Sequence, residues 1–276
     1  MAEITGIFAA SHAPPIVRAW HVIEKTSGLP QAFADLGQRI ARARPDVMVV
    51  IGADHWANFF LDNMPAICVG VGEKHRGPPE QWLVDYPHQD MRGHPGLGMH
   101  IANFAFARGF EPSVSHDLEL DHAFCVPLWK AGFGSLPPIL PIIINALQAP
   151  LPTTSRCLEF GAVIADAIEA MPGALRVVVL ATGGLSHSVG EPEMGDIDQD
   201  FDRETLSLFA AGDAAPLLRF LTDARMARAG NGAAEVRLWM AAHGAARMRG
   251  FELIAYEAVP ETYTGCGFAE WKPDPA

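Results

Sequence analysis

The chain has 276 residues, of which 49% are hydrophobic and 19% are charged, and its formal net charge at pH 7 is -12. This composition supplies a large core and argues against disorder. With no basic run in the sequence, a nucleic-acid partner is excluded, because phosphate binding needs a positively charged surface.

The cysteines and the apolar runs indicate where the protein resides. Cys68, Cys125, Cys157 and Cys266 lack the spacing of a zinc or redox motif, so reduced buried thiols are the simplest interpretation. We expect no signal peptide, because the N-terminus enters a strand without a basic start. The longest apolar run, 136–147, is too short and proline-rich to span a bilayer. We therefore predict a cytoplasmic protein with no membrane partner.

The first predicted strand, 4–9, leads to a histidine. Pro14 and Pro15 cannot donate to a strand ladder, so the strand must end before them. His12 therefore lies at a strand exit on backbone stiffened by two prolines. In α/β sheets, ligands and catalytic groups commonly lie at such exits. A single histidine at this place is also compatible with an ordinary turn.

The same arrangement recurs after the next predicted elements. A helix is predicted over 30–44, and 46–51 is a continuous apolar strand of the type buried on both faces of a parallel sheet. His55 follows its end. After a short strand at 65–71, residues 73–93 are polar, rich in Gly, Pro and His, and predict a long surface loop that could act as a lid.

The middle of the chain alternates helices and strands. The predicted helices are 95–108 and 154–170, the second capped by Thr153 or Thr154, and the predicted strands are 111–116, 140–146 and 176–181. The last of these strands exits through Gly183 and Gly184 to His187. This is the third strand exit that carries a histidine.

The C-terminal part completes an α/β pattern. Helices are predicted over 198–211 and 215–222, a break over 230–232, a helix over 233–248, a strand over 251–259, and an irregular tail from Pro260. Without a repeat or a clear linker, we predict a single domain, 1–276. Its fold class is α/β, with a central mostly parallel or mixed sheet flanked by helices.

Two of these histidines suggest a metal site. Neighbouring strands lie about 5 Å apart, so His12 and His55 can converge on one ion. Two imidazoles and one carboxylate hold Fe(II) in non-haem oxygenases, and the same set can hold zinc. The carboxylate stays open among four candidates, which are Asp54, Asp121, Glu191 and Glu235. Glu235 follows a Gly-Asn-Gly break, but it would equally suit a solvated first turn of a helix.

The remaining histidines divide into two groups. His122, after Asp121, and His187, after a glycine pair, are further candidates for chemistry. The others lack a strand-exit context and are predicted to be solvated or capping: His21, His75, His88, His94, His100, His116 and His243.

Six short segments resemble the class III extradiol ring-cleavage dioxygenases, particularly the catalytic β subunit of protocatechuate 4,5-dioxygenase. They occur in the family's order and span nearly the whole chain: 11–14, 52–55, 58–65, 120–128, 182–187 and 232–235. The resemblance implies that His12, His55 and Glu235 hold Fe(II), that His187 is the catalytic base, and that His122 is a second acid-base or oxygen-positioning group.

The resemblance also implies the reaction and its partners. A protocatechuate- or gallate-like catechol would be opened beside its diol, with insertion of both atoms of O2. The pocket would be closed by a separate small helical α subunit or by a homodimer contact. Lys74, Arg76 and Arg92 are the nearest cations for anchoring a substrate. A zinc hydrolase and a non-catalytic ligand-binding relative are the alternative functions.

Overall fold

The structure, a computed structural model, describes residues 1–272. Its strands are β1 (Glu3–Ala10), β2 (Val47–Gly52), β3 (Ile67–Gly70), β4 (Lys74–Arg76), β5 (Asp90–Arg92), β6 (Ser113–Ser115), β7 (Ile139–Ile144), β8 (Arg176–Thr182), β9 (Phe251–Val259) and β10 (Thr264–Trp271). Its α-helices are α1 (Pro15–Arg18), α2 (Trp20–Thr26), α3 (Leu29–Ala43), α4 (Pro95–Ala107), α5 (His122–Lys130), α6 (Thr154–Ala170), α7 (Gln199–Ala211), α8 (Ala214–Phe220), α9 (Asp223–Arg228) and α10 (Val236–Ala245). Short 3-10 turns cover Gln81–Leu83, Asn231–Glu235 and Pro260–Thr262.

Eight of the strands form one mixed sheet in the order β6-β3-β7-β2-β8-β1-β10-β9. The four central strands, β7, β2, β8 and β1, are parallel, and antiparallel strands adjoin them on both sides. The predicted α/β fold class, with a mixed central sheet flanked by helices, is confirmed. The parallel centre places four strand exits at one edge, where ligand sites of α/β sheets lie.

The central strands are apolar throughout because helices cover both faces of the sheet. One core joins α4, α6, α7 and α10 to one face, and another joins α2, α3 and α5 to the other. Helices α6 and α10 approach closely, since a Cβ at Gly161 would lie 1.9 Å from the carbonyl oxygen of Ala241. This contact fixes the helix that begins immediately after Glu235.

Three predictions about local structure are wrong. The tail from Pro260 is not irregular, because β10 lies between β1 and β9. Residues 73–93 do not form an irregular surface loop, since β4 and β5 pair as a hairpin and Leu83 and Met91 are buried. The predicted helix 233–248 begins only at Val236, after a 3-10 turn.

Within residues 1–272, none of the helices is both long enough and apolar enough to cross a membrane. All four cysteines are free and buried, as predicted.

Two histidines that were predicted to be solvated are instead in the core. His75 and His243 are both 0% exposed. His94 does cap a helix, since its ring accepts a hydrogen bond from Leu97 N at 3.1 Å. His243 accepts one from Nε1 of Trp271 at 2.8 Å, and burial lowers the pKa of His243 to about 4.

We expect His243 to make the fold sensitive to mild acid. The unfolded chain protonates this residue near its ordinary pKa of about 6.5, whereas the folded chain resists protonation down to about pH 4. Stability therefore falls as the pH drops from 6.5 towards 4, by up to about 1.4 kcal/mol per pH unit. His243→Gln keeps an acceptor for Trp271 and should flatten this dependence in urea unfolding. His21→Gln, at an exposed position, should leave the slope unchanged; an unchanged slope in His243→Gln would refute the assignment.

Candidate metal centre

The exits of three parallel strands build the site. His12 follows β1, His55 follows β2, and β8 lies between these two strands. The expectation that His12 and His55 come from neighbouring strands is therefore wrong. Their side chains meet across the end of β8, where the missing side chain of Gly183 leaves space for His12 and Glu235.

His12 and His55 converge on one carboxylate oxygen. Nε2 of His12 lies 3.2 Å and Nε2 of His55 lies 3.1 Å from Oε1 of Glu235. Glu235 ends the 3-10 turn before α10 and is only 3% exposed, so the alternative of a solvated glutamate is wrong. Three donors of the types that bind divalent metals thus share one buried point.

The other three carboxylates predicted as candidates are engaged elsewhere or exposed. Asp54 accepts hydrogen bonds within its own turn, from the backbone and side chain of Asn58. Asp121 caps α5 and lies beside Nδ1 of His55. Glu191 is exposed. Of the four, only Glu235 contacts both Nε2 atoms.

Backbone geometry holds Glu235 in this orientation. Its Oε2 accepts a hydrogen bond from Gly184 N at 2.7 Å, which leaves Oε1 for the two histidines. Gly183 has φ +93°, and a Cβ there would lie 2.5 Å from Oε2 of Glu235. Trp239 Nε1 donates to the Gly183 carbonyl at 2.9 Å and fixes this turn. Glycine is therefore required both by the backbone conformation and by the carboxylate.

The outer contacts of the two imidazoles orient their rings. Nδ1 of His55 lies 3.2 Å from Oδ2 of Asp121, and Nδ1 of His12 lies 3.2 Å from Oγ1 of Thr182. An ionised carboxylate only accepts, so Nδ1 of His55 carries a proton and Nε2 is the nitrogen that faces Glu235. The two Nε2 atoms and Oε1 of Glu235 face one another, and a divalent cation that displaced the Nε2 protons would find in them a fitting donor set.

The electrostatics of the site favour positive charge at that place. Burial raises the pKa of Glu235, but the adjacent His12 and His55 outweigh it and hold that pKa well below its usual range. Burial lowers the pKa of His55, but the carboxylates of Asp121 and Glu235 outweigh this effect and raise the pKa to about 10. Both directions show that the pocket stabilises a carboxylate beside a cation.

His122 lies beside this group and is held by a residue that the sequence did not indicate. Oε1 of Glu80 lies 2.6 Å from Nδ1 of His122 and accepts the His122 backbone N–H at 3.0 Å. The rings of His122 and His55 have centroids 4.1 Å apart. The ligand atoms of His12, His55 and His122 all lie within 4.8 Å of one another, so His122 borders the metal position directly.

His187 approaches from the exit of β8, the strand that lies between those before His12 and His55. Its Nδ1 lies 3.0 Å from the carbonyl oxygen of Leu185, so Nδ1 carries the proton and Nε2 has the lone pair. Nε2 lies 3.9 Å from Oε2 of Glu235. Gly232 packs against this ring, since a Cβ there would lie 2.0 Å from Nε2. All five predicted site residues therefore meet in one place.

A cavity of about 540 Å³ opens onto this place. His12, His55, His122, His187 and Glu235 line it, together with mostly apolar side chains. Its size lies within the roughly 300–1,000 Å³ of small-molecule sites. An aromatic ring can therefore enter and reach the converging donors.

Comparison with known proteins defines the family. Residues 6–268 match the family described as the catalytic LigB subunit of aromatic ring-opening dioxygenase. The chain belongs to the LigB family. It is an extradiol ring-opening dioxygenase, as the resemblance predicted, and this result decides against a zinc hydrolase and a non-catalytic binder.

Relatives of this LigB chain include enzymes named 2,3-dihydroxyphenylpropionate/2,3-dihydroxicinnamic acid 1,2-dioxygenase. The one from Rhodococcus rhodochrous is 26% identical over 91% of this chain and 92% of its own length. The one from Cupriavidus necator is 26% identical over 90% and 93%, respectively. The one from Klebsiella pneumoniae (strain 342) is 31% identical over 64% and 54%.

A solved structure shares the fold. An uncharacterized protein from Escherichia coli K12 superposes with a TM-score of 0.59 at 15% identity, over 96% of this chain and 98% of that one. This likeness concerns the fold alone.

Proposed function

We propose that this LigB protein is an Fe(II)-dependent extradiol dioxygenase that opens the ring of a carboxylated catechol and inserts both atoms of O2. The observation that carries the proposal is the convergence of two Nε2 atoms, from His12 and His55, on Oε1 of Glu235. Two histidines and one carboxylate leave positions open for ligands, as non-haem iron oxygenases require.

In this proposal His12, His55 and Glu235 hold the iron. When bound, iron supplies the Lewis-acid and redox chemistry that lets a catechol react with O2. Asp121 and Thr182 orient the two histidines through their Nδ1 atoms. Such outer contacts fix the tautomer and ring direction of a ligand before the metal arrives.

His187 is the base that takes a proton from a substrate hydroxyl. Its Nδ1 proton is committed to the Leu185 carbonyl, so the unprotonated Nε2 is the atom available at the cavity. Imidazole is the side chain that most often serves as a general base in enzymes. The Gly232 backbone against the ring keeps Nε2 from turning away.

His122 is the second acid-base or oxygen-positioning group, beside His12 and His55. Glu80 binds Nδ1 of His122 and leaves Nε2 as the atom that can face substrate or oxygen. The site thus has two imidazoles, those of His122 and His187, beside the proposed metal position. Each one is oriented by an acceptor at its Nδ1.

The substrate class rests on the relatives and on the cavity. Several relatives are named for a dihydroxyphenyl carboxylic acid, and the apolar cavity accepts an aromatic ring. Protocatechuate and gallate belong to the same class of carboxylated catechols. Buried reduced thiols support a cytoplasmic location. A small α subunit or a second copy that closes the cavity stays a prediction.

The direct test is anaerobic reconstitution with Fe(II), followed by addition of carboxylated catechols and oxygen. We expect one O2 consumed per substrate and a yellow ring-opened product. The same protein loaded with zinc should consume no O2. A fully iron-loaded protein that consumed no O2 with any catechol would refute the proposal.

Glu80 provides a further prediction, because it orients His122. Glu80→Ala should lower kcat by about 10- to 100-fold, as loss of positioning does, while iron affinity stays within about threefold. Glu80→Gln, which retains an acceptor oxygen, should recover part of the rate. Glu73→Ala, an exposed change in the same segment, is the matched control. Equal rates in Glu80→Ala and Glu73→Ala would show that Glu80 does not position His122.

A further inference from the structure

One cation on the cavity wall has no role in the chemistry described above. Arg18 is the last residue of α1, six positions after His12, and its side chain is exposed at the cavity. Within residues 1–272, it is the only lysine or arginine among the side chains that line this cavity.

The Arg18 guanidinium is also unengaged. Many other arginines have carboxylate partners, such as Arg39 with Glu270 and Arg225 with Asp198. Over the part of the chain that the structure describes, no side-chain hydrogen bond or ion pair involves Arg18. Its planar fork of donors is therefore free to bind a planar anion.

The cations first predicted to anchor the substrate do not reach the cavity. Lys74 pairs with Asp90 at 2.9 Å, and Arg76 pairs with Asp117 at 3.3 Å. Neither they nor Arg92 line the cavity. The segment 73–93 contributes Glu80 to the site, but it does not contribute a positive charge to the substrate pocket.

The residues that line the cavity differ in chemistry. His12 and Glu235, each 3% exposed, are buried, whereas Arg18 on the wall of the same cavity is exposed to solvent. Apolar side chains, including Pro14, Pro15 and Val189, line the wall. A ligand that contacted both the buried donors and Arg18 would carry a diol, an apolar part and a negative charge.

A local cation matters because the chain as a whole is acidic. A formal net charge of -12 disfavours the approach of an anionic substrate, so affinity for a carboxylate needs a positive charge placed in the pocket. A guanidinium meets a carboxylate through two parallel hydrogen bonds, which fixes both position and orientation.

We propose that Arg18 binds the carboxylate of the catecholic substrate and makes the enzyme prefer acidic catechols to neutral ones. This proposal rests on the proposed function, because it takes the diol to lie at the metal centre. Arg18 is a specificity-determining residue that touches the substrate away from the reacting atoms.

The test is anaerobic calorimetric titration of Fe(II)-loaded protein with 3-(2,3-dihydroxyphenyl)propanoate and with 3-propylcatechol, which has no carboxylate. The unaltered protein should bind the acid more tightly. Arg18→Gln should weaken binding of the acid by about 10-fold and should remove most of the preference for it. A larger effect is not expected, because solvent screens an exposed ion pair. Arg18→Lys, which keeps the charge but not the fork, should give an intermediate preference.

Arg92→Gln is the matched control, because Arg92 is exposed and lies outside the cavity. It should leave the preference as in the unaltered protein. The proposal is overturned if Arg18→Gln weakens both catechols equally, if it changes neither, or if Arg92→Gln removes the preference instead. Oxygen uptake by the unaltered protein with 3-propylcatechol distinguishes failure of the Arg18 proposal from failure of the proposed function. If only the role of Arg18 were wrong, the protein would still consume oxygen with this catechol. Binding of neither catechol by the unaltered protein would overturn both proposals.

Discussion

A Glu235→Ala variant is expected to lose iron. Oε1 of Glu235 is the point at which Nε2 of His12 and Nε2 of His55 converge, so the substitution removes the carboxylate that these two histidines share. Changes in residues that merely support metal ligands weaken affinity by about 10- to 100-fold, and loss of a ligand should cost at least the upper figure. Equilibrium dialysis against Fe(II) under nitrogen measures the effect.

The control for this variant is Glu191→Ala. Both glutamates were candidates from the sequence, but Glu191 is exposed, and its variant should bind one iron per chain like the unaltered protein. A circular dichroism spectrum would establish that Glu235→Ala is folded. If folded Glu235→Ala kept stoichiometric iron, the assigned ligand set would be wrong, and His122 would become the alternative third ligand.

A His187→Ala variant is expected to keep iron and lose rate. Nε2 of His187 lies 3.9 Å from Oε2 of Glu235, beyond the converging donors, so the metal position does not depend on it. Loss of a general base costs about 10²- to 10⁴-fold in rate. Single-turnover measurement of ring opening, with iron content determined on the same sample, separates the two effects.

Gly232→Ala should resemble His187→Ala without removing the imidazole. The added methyl would lie 2.0 Å from Nε2, so the ring must move. His116→Ala, at an exposed histidine, should behave like the unaltered protein. Iron loss in His187→Ala equal to that in Glu235→Ala would contradict the division between ligands and base.

Local sequence signals were sufficient for the histidines because strand exits have clear patterns. The apolar run 4–9 ends shortly before His12, and Pro14 rules out a continuing strand. The apolar run 47–51 ends at Gly52, three residues before His55. The identity of the carboxylate did not follow from such signals. A glutamate at the start of a helix is ordinary on helix-dipole grounds, and only the fold brings Glu235 onto both histidines.

Strand β10 was missed because tertiary contacts determine its composition. A Cβ at Gly265 would lie 1.9 Å from a carboxylate oxygen of Asp202, and one at Gly267 would lie 3.0 Å from the Trp239 ring. Both positions therefore need glycine, which weakens strand signals in a single sequence. Helix α5 was obscured for a related reason, since Pro127 lies inside it.

Glu80 and Arg18 show a different limit of sequence interpretation. Each is a charged residue in an unremarkable local context, and its significance depends on what lies opposite it in space. Glu80 is distant along the chain from His122, with which it pairs. Arg18 follows His12 closely, yet only the fold shows that both residues line the same cavity.

The most direct test of the central claim is reaction of the iron-loaded enzyme with a carboxylated catechol under ¹⁸O2. Mass spectrometry of the ring-opened product should show two ¹⁸O atoms, after correction for exchange with water. Ring opening without ¹⁸O in the product, or turnover that continues without oxygen, would contradict an iron-dependent dioxygenase at His12, His55 and Glu235.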